Sequence, residues 1–235
     1  MNDIDIGARL GAAGSLIENG LTVRDIGCDH GKLGRYLLES GKAKRIIATD
    51  INEKPLQKAV RLFEERGLSD KALFYQTDGL QGVEDDGSLT HAVIAGVGGN
   101  TAAKIISDSD IFRKKGLRLI LIPAQKEEEL RLYLLEGGYE ITRERAVEEN
   151  GKFYTCILAT YTGEKQEHDM FDLFIGHVAD EDSVNDATAG YLRKRAGQLE
   201  NILKGAKDET RTEYEKAYSR AKLLADYLDG GESTK

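Results

Sequence analysis

Asp25-Ile26-Gly27-Cys28-Asp29-His30-Gly31, followed by Asp50 at the end of the next apolar run, decides the fold. A short apolar run enters a glycine-containing turn and leaves it in a helical pattern, as in the first βα turn of a Rossmann-like nucleotide site. A dinucleotide-binding turn carries G-x-G-x-x-G, whose second glycine lets the backbone approach a pyrophosphate at a helix N-terminus. Here Asp29 holds that second position and Asp25 precedes Gly27 by two residues, so a diphosphate would meet two carboxylates. S-adenosylmethionine has no phosphate and carries a sulfonium and an α-ammonium, which the same acids attract. Asp50, 23 residues after Gly27, fits the acid at the tip of the second strand that accepts the ribose hydroxyls. The plainer alternative is an ordinary strand-turn-helix with Asp29 as N-cap. Glycines, acids and strand ends coincide too well for that to account for the whole set.

At 235 residues the chain is long enough for one full domain and a small accessory unit. It lacks a run of about eighteen apolar residues, so no membrane span is expected. The acidic start Met1-Asn2-Asp3-Ile4-Asp5 is unlike a signal peptide. Cys28 and Cys156 are far apart and lack a C-x-x-C partner, which argues against a zinc site or a disulfide framework and fits a reducing cytoplasm. No metal is expected. The net charge of −8 counts against nucleic acid at first sight. Residues 161–190, however, hold one basic and eight acidic side chains, while residues 191–222 hold nine basic and five acidic, a net of +4. A basic C-terminal segment therefore sits on an acidic protein, as a solvated face or as a clamp for phosphates. Arg193, Lys194, Arg195, Lys204, Lys207 and Arg211 are the candidates for such contacts.

From residue 21 short apolar runs alternate with amphipathic ones, the pattern of a parallel sheet with crossover helices. Strands are expected at Val23–Gly27, Arg45–Asp50, Ala72–Gln76, His91–Ala95 and Leu117–Ile122, with helices at Gly31–Ser40, from near Glu53, and at Lys126–Glu136. Then Tyr139–Val147 and Lys152–Tyr161 read as two strands joined by Glu149-Asn150-Gly151, an antiparallel hairpin turn. A parallel sheet closed by such a hairpin is the class I methyltransferase outline; a dehydrogenase would continue with another parallel unit. The expected fold is thus α/β, a Rossmann-like methyltransferase sheet with an antiparallel terminal hairpin, plus a C-terminal helical hairpin or coiled coil. Its stripes are Leu192, Ala196, Leu199, Ile202 and then Ala217, Ala221, Leu224, Ala225. The division is a catalytic domain at 1–161, an acidic linker at 162–188 and the hairpin at 189–235.

Ligands bind at strand ends in such sheets. The candidate cofactor-binding residues are Asp25, Gly27, Cys28, Asp29, Asp50, Ile51, Asp78, Gly79, Ala95 and Gly96. Asp78, after the third strand, suits the adenine N6 amine, with Gly79 and Leu80 along the purine; a turn Asp capping the next helix is the alternative. Ala95-Gly96-Val97-Gly98-Gly99 stands where amino-methyltransferases often carry D/N-P-P-[FYW], which holds an exocyclic amine. Small residues instead let a planar base lie close to the backbone and favour a ring nitrogen, whose lone pair is already in plane; packing alone is the alternative. Asp29, His30 and Gln125 are the candidate catalytic residues around the acceptor.

Through D-I-G-C-D-H at Asp25–His30, A-G-V-G-G at Ala95–Gly99, R-L-I-L-I-P at Arg118–Pro123, E-E-N-G-K-F-Y at Glu148–Tyr154 and A-R-L at Ala8–Leu10, the chain resembles the bacterial tRNA adenine-22 N1-methyltransferases. The resemblance implies S-adenosylmethionine as donor, whole tRNA as substrate, a Rossmann-like domain with a C-terminal coiled coil, and Gly27, Asp29, Asp50 and Asp78 around the donor. The chain departs from the family pattern at Gly31-Lys32-Leu33-Gly34, where A-Y-L-P is usual, and at Asp50, where Glu is usual. At Ile122-Pro123-Ala124 the family's Q-P-N is replaced, so the amide expected near the base is lost and Gln125 is the candidate to stand in. The expected function is N1-methylation of an adenine in tRNA by a cytoplasmic enzyme. The alternatives are a methyltransferase for another RNA or a small molecule, and a non-catalytic partner subunit that keeps the cofactor fold. Oligomeric state is not legible.

Overall fold

Seven strands form one sheet in the order β3-β2-β1-β4-β5-β7-β6, where β1 is Gly20–Ile26, β2 Ala43–Asp50, β3 Ala72–Gln76, β4 Leu89–Ala95, β5 Arg118–Ile122, β6 Tyr139–Glu149 and β7 Lys152–Tyr161. The structure, a computed structural model, describes residues 5–18 and 20–230; the start of the acidic N-terminal segment, residues 1–4, lies outside them. Strands β1 to β5 pair in parallel, while β7 runs antiparallel to both β5 and β6. Val23, Ile46, Val93, Ile120 and Ile122 are fully buried, as expected of strands covered by helices on both faces. At the β6–β7 turn Asn150 and Gly151 adopt positive φ angles of 53° and 71°, the conformation a tight Asn-Gly hairpin requires.

The helices are α1 (Ala8–Ser15), α2 (Lys32–Glu39), α3 (Glu53–Glu65), α4 (Gly99–Ser107), α5 (Glu127–Glu136), α6 (Met170–Phe174), α7 (Thr188–Leu203) and α8 (Asp208–Gly230). Apolar residues on α3 recur at helical spacing, and Leu56, Ala59 and Phe63 are buried. Neither α1 nor α4 is among the helices the sequence pattern marks. On α8, Ala217, Ala221 and Ala225 are buried at a spacing of four, so small side chains let it lie close along α7.

Residues 170–203 share a core with the sheet instead of lying apart from it. Phe171, Leu173, Phe174, Ile175, Val178, Tyr191, Leu192 and Leu199 belong to the same buried cluster as Ile94, Leu119 and Leu134. Two buried arginines stitch the layers. Arg131 on α5 donates to Glu144 at 2.9 Å, to the Leu173 carbonyl at 2.8 Å and to the Tyr191 hydroxyl at 2.9 Å. Arg195 on α7 donates to the Phe174 carbonyl at 2.7 Å, to Glu127 at 3.2 Å and to Glu128 at 2.8 Å. Arg195 is therefore not a phosphate contact, and Lys194, bonded to Glu127 at 2.7 Å and to the Phe153 carbonyl, is committed to the same junction. The net positive charge of this segment comes partly from cations that fold the protein.

Candidate active site

The strand order reverses between β1 and β4, and the carboxyl ends of the strands open there into a cavity of about 650 Å³. Its wall begins with the turn after β1. The N–H groups of Gly27 and Cys28 both donate to the Thr49 carbonyl, at 2.8 and 2.9 Å, which ties the turn to β2. Asp29 then adopts a left-handed φ of 49°, unusual for a residue with a side chain, and its N–H donates to Asp50 Oδ2 at 3.0 Å. The other Asp50 oxygen accepts from the Asn52 N–H at 2.8 Å. One buried carboxylate thus fixes both the first and the second strand-end turns and keeps lone pairs for a further donor.

Asp25 lies beneath, buried, with Oδ2 bonded to no protein group among the described residues. Burial pushes its carboxyl up to about 7, the neighbouring Asp50 and Asp29 push the same way, and the Gly34 backbone opposes. A cationic ligand would satisfy this atom and relieve the crowding of acids. Asp29 and Asp78 bring the lining carboxylates to four, against Arg9 and Lys32 as cations. Gly27 and Gly96, at positive φ of 71° and 82°, present bare backbone with open space where a side chain would stand. Ile51 is 62% exposed at the rim, an apolar surface fit for a purine to cover. An orphaned buried carboxylate, an acid with spare lone pairs at the second strand and an uncovered apolar rim suit S-adenosylmethionine and oppose a diphosphate.

All ten residues marked from sequence for the cofactor, from Asp25 to Gly96, line this one cavity, as do Asp29 and His30 of the acceptor set. His30 Nε2 lies 3.5 Å from Asp29 and 3.4 Å from Lys58. Gln125 is not in the lining; it is exposed beside Gly98. Leu80 is buried in the core and takes no part in the wall, which corrects its placement along the purine. Gly99 is there for packing, because a Cβ would lie 2.0 Å from the Lys126 carbonyl oxygen; Gly96 and Val97 are the loop residues the cavity exposes. Burial pushes the Cys28 thiol up, so it is a wall and not a nucleophile. Arg9 and Leu10, from the A-R-L stretch, also line the cavity without having been marked for it, as do Thr101 and Ile105, which carry no local sequence signal.

A family model described as a methyltransferase domain matches residues 6–157, and the chain belongs to that family. It is 28% identical to the tRNA (adenine(22)-N(1))-methyltransferase of Bacillus subtilis over 98% of this chain and all of that one. The solved structure of Streptococcus pneumoniae Sp1610 in complex with S-adenosyl-L-methionine superposes with a TM-score of 0.77 at 29% identity, covering 92% of this chain and 98% of that one. TrmK of M. capricolum, solved with S-adenosyl-homocysteine, gives 0.70 at 25% identity over 94% and 96%. The resemblance carried by D-I-G-C-D-H and A-G-V-G-G is thereby borne out.

Proposed function

We propose that this protein transfers a methyl group from S-adenosylmethionine to N1 of an adenine in tRNA, as a cytoplasmic enzyme. The observation that carries the donor assignment is the buried, unpartnered Asp25 oxygen in a cavity whose second-strand acid, Asp50, still has lone pairs to offer. The likeness to the tRNA (adenine(22)-N(1))-methyltransferase along nearly the whole of both chains supports the acceptor. Among the described residues no helix is long and apolar enough to cross a membrane.

When bound, the donor supplies an electrophilic methyl on a cationic sulfur. Asp50 would accept from its ribose hydroxyls, Asp78 from its adenine amine, and Asp25 from its α-ammonium, while Arg9 would offer the cation for its carboxylate. Gly27, Cys28, Gly79, Ala95 and Gly96 keep the wall thin, and Ile51 covers the purine. The donor would supply its methyl to adenine N1, whose lone pair lies in the ring plane, and the sulfur would leave with the electron pair of the broken bond. Positive charge moves onto the base. No proton need leave for the transfer, so the residues at the mouth, Asp29 and His30, act by orienting the base and by stabilising the charge it acquires. Gln125, one residue past Ala124, offers an amide for the base edge from outside the cavity. Residues 1–161 form the catalytic unit in this reading, followed by an acidic segment at 162–188 and the helical hairpin. Incubation of unmodified tRNA with the protein and methyl-labelled donor tests it: label in tRNA is expected, and label only in another RNA or none at all would refute it.

A further inference from the structure

Beside the cofactor cavity, between α2 and α3, runs a groove of about 410 Å³ lined by His30, Lys32, Arg35, Lys58 and Arg61, with Glu65 as its single acid. On a protein of net charge −8, this concentration of cations is not a product of composition. It follows from spacing: Lys32 and Arg35 lie three apart on α2, Lys58 and Arg61 three apart on α3, so each pair shares a helix face.

The cations of the groove are largely unspent. Among the described residues Lys32 and Arg61 form no ion pair and Lys58 approaches only His30, while Arg35 pairs with Glu39 on its own helix at 3.9 Å. On the helical hairpin Arg193 pairs with Asp229, Lys194 and Arg195 with Glu127, and Arg211 with Glu215, while Lys204, Lys207, Lys216 and Lys222 form no ion pair among the described residues. Position adds direction, because His30 and Lys32 line both the groove and the cofactor cavity. A strand whose base enters the cavity would leave its neighbouring phosphates at the groove.

We propose that this α2–α3 groove is the phosphate-binding track of the RNA substrate, rather than the hairpin face that charge counting favours; the proposal rests on the tRNA reading above. Lys58→Glu with Arg61→Glu tests it, since both side chains are exposed, leave the core intact and lie outside the cofactor cavity. With an unmodified tRNA transcript as probe, the double variant should bind at least about tenfold more weakly. The slope of log affinity against log salt should fall in magnitude by about 1.4 to 1.8, two contacts at roughly 0.7 to 0.9 each. Donor affinity should stay at the wild-type value, and Lys204→Glu on the hairpin should leave the slope unchanged. A wild-type chain that methylates tRNA while the double variant keeps its affinity and slope would overturn the groove alone. A wild-type chain that binds no tRNA at any salt would overturn the tRNA reading and the groove with it. Loss of binding to phosphatidylserine vesicles in the double variant, with tRNA binding intact, would assign the groove to a membrane surface and likewise overturn the proposal.

Discussion

Arg9 on α1 donates its Nε–H to Glu149 Oε2 at 2.5 Å across 140 residues of chain, and its backbone N–H goes to the other oxygen of the same carboxylate at 3.2 Å. The Arg9 guanidinium also lies 4.8 Å from the centre of the Tyr154 ring, so two residues of the terminal hairpin hold a cation at the cofactor cavity. Burial pulls the Glu149 carboxyl up, but the bonds from Arg9 together outweigh it and hold the group below its usual range.

Glu149 does not line the cavity, yet Glu149→Gln should weaken S-adenosylmethionine up to about tenfold, roughly 1.4 kcal/mol, by freeing Arg9 from its position. Calorimetric titration decides this, and an unchanged dissociation constant would remove Arg9 from the donor site.

Asp50→Ala should cost the donor about 1–3 kcal/mol in lost charge-assisted bonds. It should also lower the melting temperature of the free protein, because the N–H groups of Asp29 and Asn52 lose their acceptor. A folded variant with wild-type donor affinity would place the ribose elsewhere.

Asp25 sets a pH dependence with a definite sign. Its carboxyl rises from 3.8 to about 7 on folding, so the stability gained by keeping the proton is full below about pH 4 and is lost as pH climbs toward 7. A bound ammonium favours the carboxylate, so donor affinity should fall as pH drops below 7, by up to about tenfold per unit. Asp25→Asn should flatten both curves. Titrations across about pH 5 to 8 with no trend in the wild type would separate Asp25 from the donor's cation.

Much of this was readable in advance, for local reasons. The strands and the Asn150-Gly151 turn announce themselves through runs of apolar residues and one dipeptide, and the acids of the first two turns sit at strand ends by chain order alone. Helix α1 escaped because its alanines and glycines give little periodicity, and α4 because Gly98 and Gly99 read as a loop. Arg9 escaped for a different reason: its place in the cavity depends on a partner 140 residues away. A charge count alone does not place Arg195, because it does not register Glu127 and Glu128 facing it from α5.

The buried arginines carry a stability prediction. Arg131→Met strands the Glu144 carboxylate in the interior and should destabilise the protein by about 3–5 kcal/mol. Arg211→Ala, at an exposed pair on α8, should change stability by under about 1 kcal/mol. Urea denaturation of both variants checks the contrast, and a mild loss for Arg131→Met would mean that the junction between α5, β6 and α7 relaxes.

Nucleoside mass spectrometry of unmodified tRNA incubated with the protein and isotope-labelled S-adenosylmethionine tests the central claim most directly. The labelled methyl should appear as 1-methyladenosine, because the Gly96–Gly99 loop lacks the acceptor side chains an exocyclic amine needs. Label found only as N6-methyladenosine in freshly digested, non-alkaline samples would contradict it.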